Sequence, residues 1–155
     1  MKKAVLLPIL LGAMASFGQS ALADPLDDAI KARRSFYQVV LFNAAPLFGM
    51  AKGKLPYDAK SAQTYADNLK ALAELDNSAM WPKGSDNVAK AGKTRAKPEL
   101  WSEYPKVVAA AKAWKKAIGE LSGDADDGLN DLRPKVAALG EACSGCHKPF
   151  RAKEF

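Results

Sequence analysis

From residue 24 onward, apolar side chains recur every three or four positions, the spacing of one face of a helix. No stretch alternates apolar and polar residues in the manner of a strand for more than a few positions. Helix A is predicted over about 26–51, with Asp24 and Pro25 as cap and first-turn residue. Its apolar face carries Ile30, Phe36 or Tyr37, Val40, Leu41, Ala44 and Leu47, and Pro46 should kink it or loosen its hydrogen bonds. Helix B starts at Asp58 and ends near Leu75 or Asp76, with Tyr65, Leu69, Leu72 and Leu75 as its stripe. Residues 77–97, with Pro82, Gly84 and Gly92, read as a long loop. A loop of that length is more often functional than idle, and it can lie across a bound group. Helix C runs from Pro98 or Glu99 to about Leu121, with Leu100, Trp101, Val107, Val108, Ala111 and Trp114 as core candidates. After the polar turn "SGDADDG", helix D carries Leu129, Leu132, Val136, Leu139, Cys143 and His147, ending near Phe150. Pro134 fits best if helix D begins only a few residues before it. The short A–B and C–D connections imply an all-α, antiparallel up-down-up-down four-helix bundle.

The first 23 residues follow another pattern. Lys2 and Lys3 precede an apolar run from Ala4 to about Ala15, and Ala21-Leu22-Ala23 forms an A-x-A cleavage site. This is the layout of a secretory signal peptide, removed before Asp24, and it directs the chain to a bacterial periplasm. The apolar run is too short to span a bilayer comfortably, so no stable membrane insertion is expected after cleavage. Residues 24–155 then form one domain. Losing the two lysines lowers the formal charge from +6 to +4, with the cations spread along the chain. That argues against nucleic acid and leaves weak steering toward an acidic protein or a membrane surface.

The chemistry is concentrated in "EACSGCHKPFR", residues 141–151, which holds both cysteines and the only histidine of the chain. Cys-x-x-Cys-His is the attachment pattern of c-type haem. On a helix, Cys143 and Cys146 share a face, where each sulfur can add to one vinyl group of a single haem c. His147 stays on that face as an axial ligand of the haem iron. A structural zinc site needs four ligands, and Cys and His supply only three. A redox disulfide of the thioredoxin kind needs a βαβ setting that the pattern does not contain. With one histidine, bis-histidine ligation is excluded. A sixth ligand would be Met, Lys, Tyr or a terminal amine, and beyond residue 23 the methionines are Met50 and Met80. Met50 reads as a packing residue near the bundle end, and Met80 as one that packs near the haem edge.

Four segments in order carry a resemblance to a known family: "DDAIKARRSFY" in the first helix, "AKGKLPYDA" between helices A and B, "AKPELW" at the start of helix C and "CSGCHKPFR" at the end. Across 24–155 the chain resembles the cytochromes c′, the class II c-type cytochromes. The resemblance implies one covalently attached haem c, electron transfer and/or reversible binding of NO and CO, and pairing of two copies through helices A and B as a homodimer. Its pattern puts Tyr37, four residues after Arg33, over the distal face of the iron. The six-coordinate relatives take a Met from early helix A, where this chain has none, so five-coordinate iron is expected. The alternative is a six-coordinate, low-spin electron carrier with a Met ligand. The resemblance also implies propionate contacts from Arg33, Arg34, Thr94 and Arg95, and a proximal role for Arg151. The plainer readings are a core aromatic for Tyr37, two exposed arginines on a solvated face for Arg33 and Arg34, and a helix-terminal cation for Arg151. Redox partners are unidentified. An enzyme ranks behind these functions, because distal acid–base chemistry would want a second histidine or a charged group.

Overall fold

The computed structural model describes residues 24–155, so the signal peptide and cleavage site expected at 1–23 lie outside the described residues. The helices are α1 (Pro25–Ala51), α2 (Ala59–Glu74), the one-turn α3 (Glu99–Ser102), α4 (Tyr104–Gly123) and α5 (Leu129–Phe150). The long helices pack in a cycle, α1 on α2, α2 on α4, α4 on α5 and α5 on α1. That is the four-helix bundle read from the pattern. Among the described residues no helix is long and apolar enough to cross a membrane.

The helix starts follow local chemistry. Asp24 accepts from the Leu26 N–H at 2.9 Å with Pro25 in the first turn, and Asp58 accepts from the Ser61 N–H at 2.8 Å. Each cap satisfies a backbone donor that the helix itself leaves unpaired. α1 continues through Pro46, and α5 starts at Leu129, five residues before Pro134.

Helix C is not continuous as expected. The backbone leaves helical geometry at Glu103 (φ −110°, ψ 39°), which splits it into α3 and α4. Pro105 is the reason. In an unbroken helix its ring would clash with the Trp101 carbonyl, whereas a fresh start puts it in the first turn, where no N–H is needed.

The core also departs from the expected stripes. Leu47, Leu69, Leu121, Leu132 and Leu139 are fully buried, each worth roughly 1.5–3 kcal/mol relative to exposure. On α2 the inward line is Ala62, Ala66, Leu69 and Ala73, while Tyr65 and Leu72 are half-buried and Leu75 is exposed. Small side chains let α2 approach its neighbours closely, so the larger ones flank the contact. On α1, Leu41 faces solvent with 63% of its surface exposed, whereas Arg33 and Asn43 are buried. Asn43 accepts from the Asn68 side-chain amide at 2.9 Å, which supplies a polar bridge between α1 and α2. Ala111 on α4 is exposed rather than in the core.

One bundle end is tied by a single phenol. Tyr57, between α1 and α2, donates to the Ala125 carbonyl at 3.0 Å and accepts from the Gly128 N–H at 3.0 Å, joining that connection to the α4–α5 turn. Tyr57→Phe removes both bonds while keeping the ring. The expected result is a loss of roughly 1–3 kcal/mol in urea unfolding with helix content unchanged.

Candidate functional site

Cys143, Cys146 and His147 occupy the carboxyl half of α5, at positions three and four apart. That spacing groups them on one helix face. Both cysteines are half-buried and free of a disulfide, and burial pushes both thiols above their ordinary pKa. His147 is the more exposed of the three. Partial desolvation, with Arg95 adding to it, lowers its pKa, so the imidazole is neutral at pH 7 with a free nitrogen lone pair. Two protonated thiols and a neutral imidazole on one face match what covalent haem attachment and axial ligation require.

Tyr37 faces this group from α1. Its phenol is pushed up to about 12, first by desolvation and then by the nearby Cys146 and Cys143, while Arg33 acts in the opposite sense. The side chain retains 40% exposure, so the ring is not a sealed core aromatic. At neutral pH it is a phenol and a poor iron ligand. An aromatic row runs outward from it: Phe36 lies 5.1 Å away between ring centroids, Trp81 lies 6.2 Å away, and Trp101 stands 6.4 Å from Trp81. The Trp101 indole also donates to the Trp81 carbonyl at 3.0 Å. Trp81 did not stand out in the sequence, although a tryptophan in a long polar loop is itself a cue that the loop packs on something.

Arg33 stands apart from the expectation of a solvated arginine. It is 3% exposed and has no carboxylate partner among the described residues. Nη1 donates to the Met80 carbonyl (3.3 Å) and Ser85 Oγ (3.1 Å); Nη2 donates to the Ser85 carbonyl (2.9 Å) and Thr94 Oγ1 (2.8 Å). The guanidinium also lies 4.3 Å from the Trp81 ring centroid. Desolvation lowers its pKa to about 10, which leaves it charged at pH 7. Four donations into residues 80–94 make it the pin of the α2–α3 loop, and Thr94 is one of its acceptors. The loop adds its own turns, with Asp86 accepting from the Val88 and Ala89 N–H groups at 2.9 Å. Its far edge is held to the start of α1 by ion pairs of Lys90 with Asp24 and Asp27 and of Lys93 with Asp27.

The remaining cations of interest lie at the end of α5. Arg151 is not a further helical residue one turn beyond His147: its backbone is extended (φ −120°, ψ 124°), and its N–H caps the helix by donating to the His147 carbonyl. From there the chain pairs with residues 95–97, through an antiparallel bridge between Ala96 and Arg151. Arg34 is exposed and Arg95 half-buried, both beside this tail. Met50 is buried in the core and Met80 is half-buried against it.

The sequence model of the family described as Cytochrome C′ matches residues 28–151. A cytochrome c′ of Cereibacter sphaeroides is 31% identical over 140 residues, which cover 90% of this chain and 93% of that protein. Among solved structures, a cytochrome c′ from Rhodobacter sphaeroides superposes with a TM-score of 0.82 at 32% identity, covering 85% of this chain and 100% of the other. A ferrous variant of cytochrome c′ from Alcaligenes xylosoxidans with bound NO superposes at a TM-score of 0.71 and 29% identity, covering 84% and 98%; a carbon-monoxide-bound variant of that protein also matches.

Replacing Arg33 tests the pin. Arg33→Met strands buried carbonyls and hydroxyls and should cost roughly 3 kcal/mol or more, whereas Arg33→Lys should retain part of the loss because it keeps charge but not the fork. Hydrogen exchange should locate the damage in amides of residues 78–97, with core amides of α2 and α5 altered only by the global change.

Proposed function

The chain belongs to the cytochrome c′ family and carries haem c, and from that premise we propose that it is a periplasmic haem protein with five-coordinate iron that transfers electrons and reversibly binds NO and CO. When bound, haem c would supply an iron centre able to alternate between ferric and ferrous and to take up a small ligand. Cys143 and Cys146 would hold it through two thioethers, and His147 would donate the axial nitrogen. The fit rests on the donor set itself: half-buried thiols, undivided by a disulfide, beside an imidazole whose pKa is lowered.

The observation that carries the five-coordinate reading is the fate of the methionines. Met50 is committed to the core and Met80 packs against it, while the side chain bordering the thiols from α1 is the phenol of Tyr37. A phenol pushed up to about 12 would stay protonated beside the bound haem and leave its iron unligated from that side, and an open apolar position would favour neutral diatomics over anions. The same phenol is a poor general base near neutrality, which supports a carrier or gas binder over an enzyme. The NO- and CO-bound relatives favour the same reading.

Pairing of two copies is part of the proposal. Leu41 and Phe42 expose 63% and 70% of their surface on α1, and with Ala45, Pro46 and Leu55 they line an apolar groove of about 510 Å³. Such a patch is expensive to leave in water, and self-association through α1 covers it.

Optical spectra of the purified protein test the coordination. The expected result is a high-spin ferrous spectrum that changes on adding CO or NO; a low-spin, Met-ligated spectrum indifferent to CO would overturn five-coordination. Tyr37→Ala should speed CO entry by roughly tenfold, equivalent to about 1.4 kcal/mol of barrier. Light scattering tests the pairing: the parent chain should run as a dimer and Phe42→Lys as a folded monomer.

A further inference from the structure

The last residues of the chain do more than end the helix that bears the cysteines. The Ala152 N–H donates to the Arg95 carbonyl at 2.8 Å, and the Lys97 N–H donates to the Phe150 carbonyl at 3.0 Å. Around the bridge between Ala96 and Arg151, these bonds clip the tail onto the strand of chain that leads into α3. The Lys97 ammonium adds a bond to the Pro149 carbonyl at 2.9 Å.

The clip delivers Phe155 to an unusual place. Its ring carries the Arg34 guanidinium at 5.0 Å from the centroid and the Arg95 guanidinium at 5.1 Å. The ring stays 60% exposed, so apolar burial is not what holds it. Cation–π attraction to two guanidiniums is the available force. Neither arginine has an acidic side-chain partner among the described residues. Each uses one donor on a neutral carbonyl, Arg34 on Lys93 and Arg95 on Lys153, both at 3.2 Å. Two like charges gathered on one ring repel each other, and this arrangement is favoured when anions share the remaining donors.

We propose that Phe155 is a positioning residue: by stacking Arg34 and Arg95 on one ring at the end of the haem-bearing helix, it presents two guanidiniums to the two haem carboxylates, while Arg33 is committed to the loop. This rests on haem being attached at Cys143 and Cys146. Cations held near the haem favour the ferrous state, which carries less positive charge than the ferric. Releasing them lowers the reduction potential.

The experiment compares the holoprotein with Phe155→Leu and Phe155→Trp by redox titration at low and high salt. Phe155→Leu should reduce the ferrous-to-ferric ratio at a fixed potential by roughly threefold, about 28 mV for one electron, with a smaller shift at high salt. Phe155→Trp, which keeps a π face, should restore the parent value. Hydrogen exchange of the Ala152 amide should stay slow in both variants, which separates loss of the ring from loss of the clip. A Phe155→Leu potential equal to the parent's would overturn the proposal, as would equal shifts in both variants. A haemochrome assay reports separately on the underlying reading, since a parent protein without covalent haem fails on attachment before any potential is measured.

Discussion

A guanidinium buried without a carboxylate organises one side of this molecule. Arg33 reaches from the first helix into a loop of about twenty residues and donates four hydrogen bonds to it while lying over Trp81. A cation taken out of water is costly unless every donor is satisfied, and the loop can meet that demand only by folding around it. The dependence runs both ways: the loop has little regular structure of its own, and Arg33 supplies the order that a helix or strand would otherwise provide. Trp81, Ser85 and Thr94 are therefore fixed relative to α1, and with them the chain approaching Arg95 and the tail.

The bundle sets the frame in which that side works. Alanines on α2 bring the helices close, and the leucines of α1, α4 and α5 fill the interior. Tyr57 closes one end by joining the α1–α2 connection to the α4–α5 turn. The cysteines and histidine sit in the last turns of α5, where the helix is about to end and the tail folds back on residues 95–97. Thiols, imidazole, phenol and arginines thus come from three separate stretches of the chain, α1, the loop before α3, and α5 with its tail, and the Arg33 loop and the tail clip hold those stretches in register.

Some features were legible in the residues because they are local. Helix spacing, the Asp24 and Asp58 caps and the clustering of Cys143, Cys146 and His147 depend on neighbours within four or five positions. Where the structure departs from the pattern, helix geometry, a close contact or a steric clash outweighs apolar spacing. Leu41 is apolar yet lies outside, because the buried line of α1 runs through Phe36, Val40, Ala44 and Leu47 and the helix turns the next position after Val40 about 100° away from it. The α2 stripe was assigned to large side chains although the close contact belongs to Ala62, Ala66 and Ala73. The break at Glu103 follows from Pro105, although the apolar periodicity continues across it.

By itself the sequence determined the helical class, the order of the long helices and the chemistry of the cofactor, since each follows from short-range spacing and from the supply of only two thiols and one imidazole. Tertiary structure decided the roles of the arginines. Arg33, Arg34, Arg95 and Arg151 carry the same side chain, and short-range spacing does not separate their roles. Folding made the first a buried pin, set the second and third on the ring of Phe155, and left the fourth to cap α5 through its backbone N–H alone. For Arg33, Arg34 and Arg95 the guanidinium's role depends on which acceptors and rings surround it, and those come from residues 47 or more positions away.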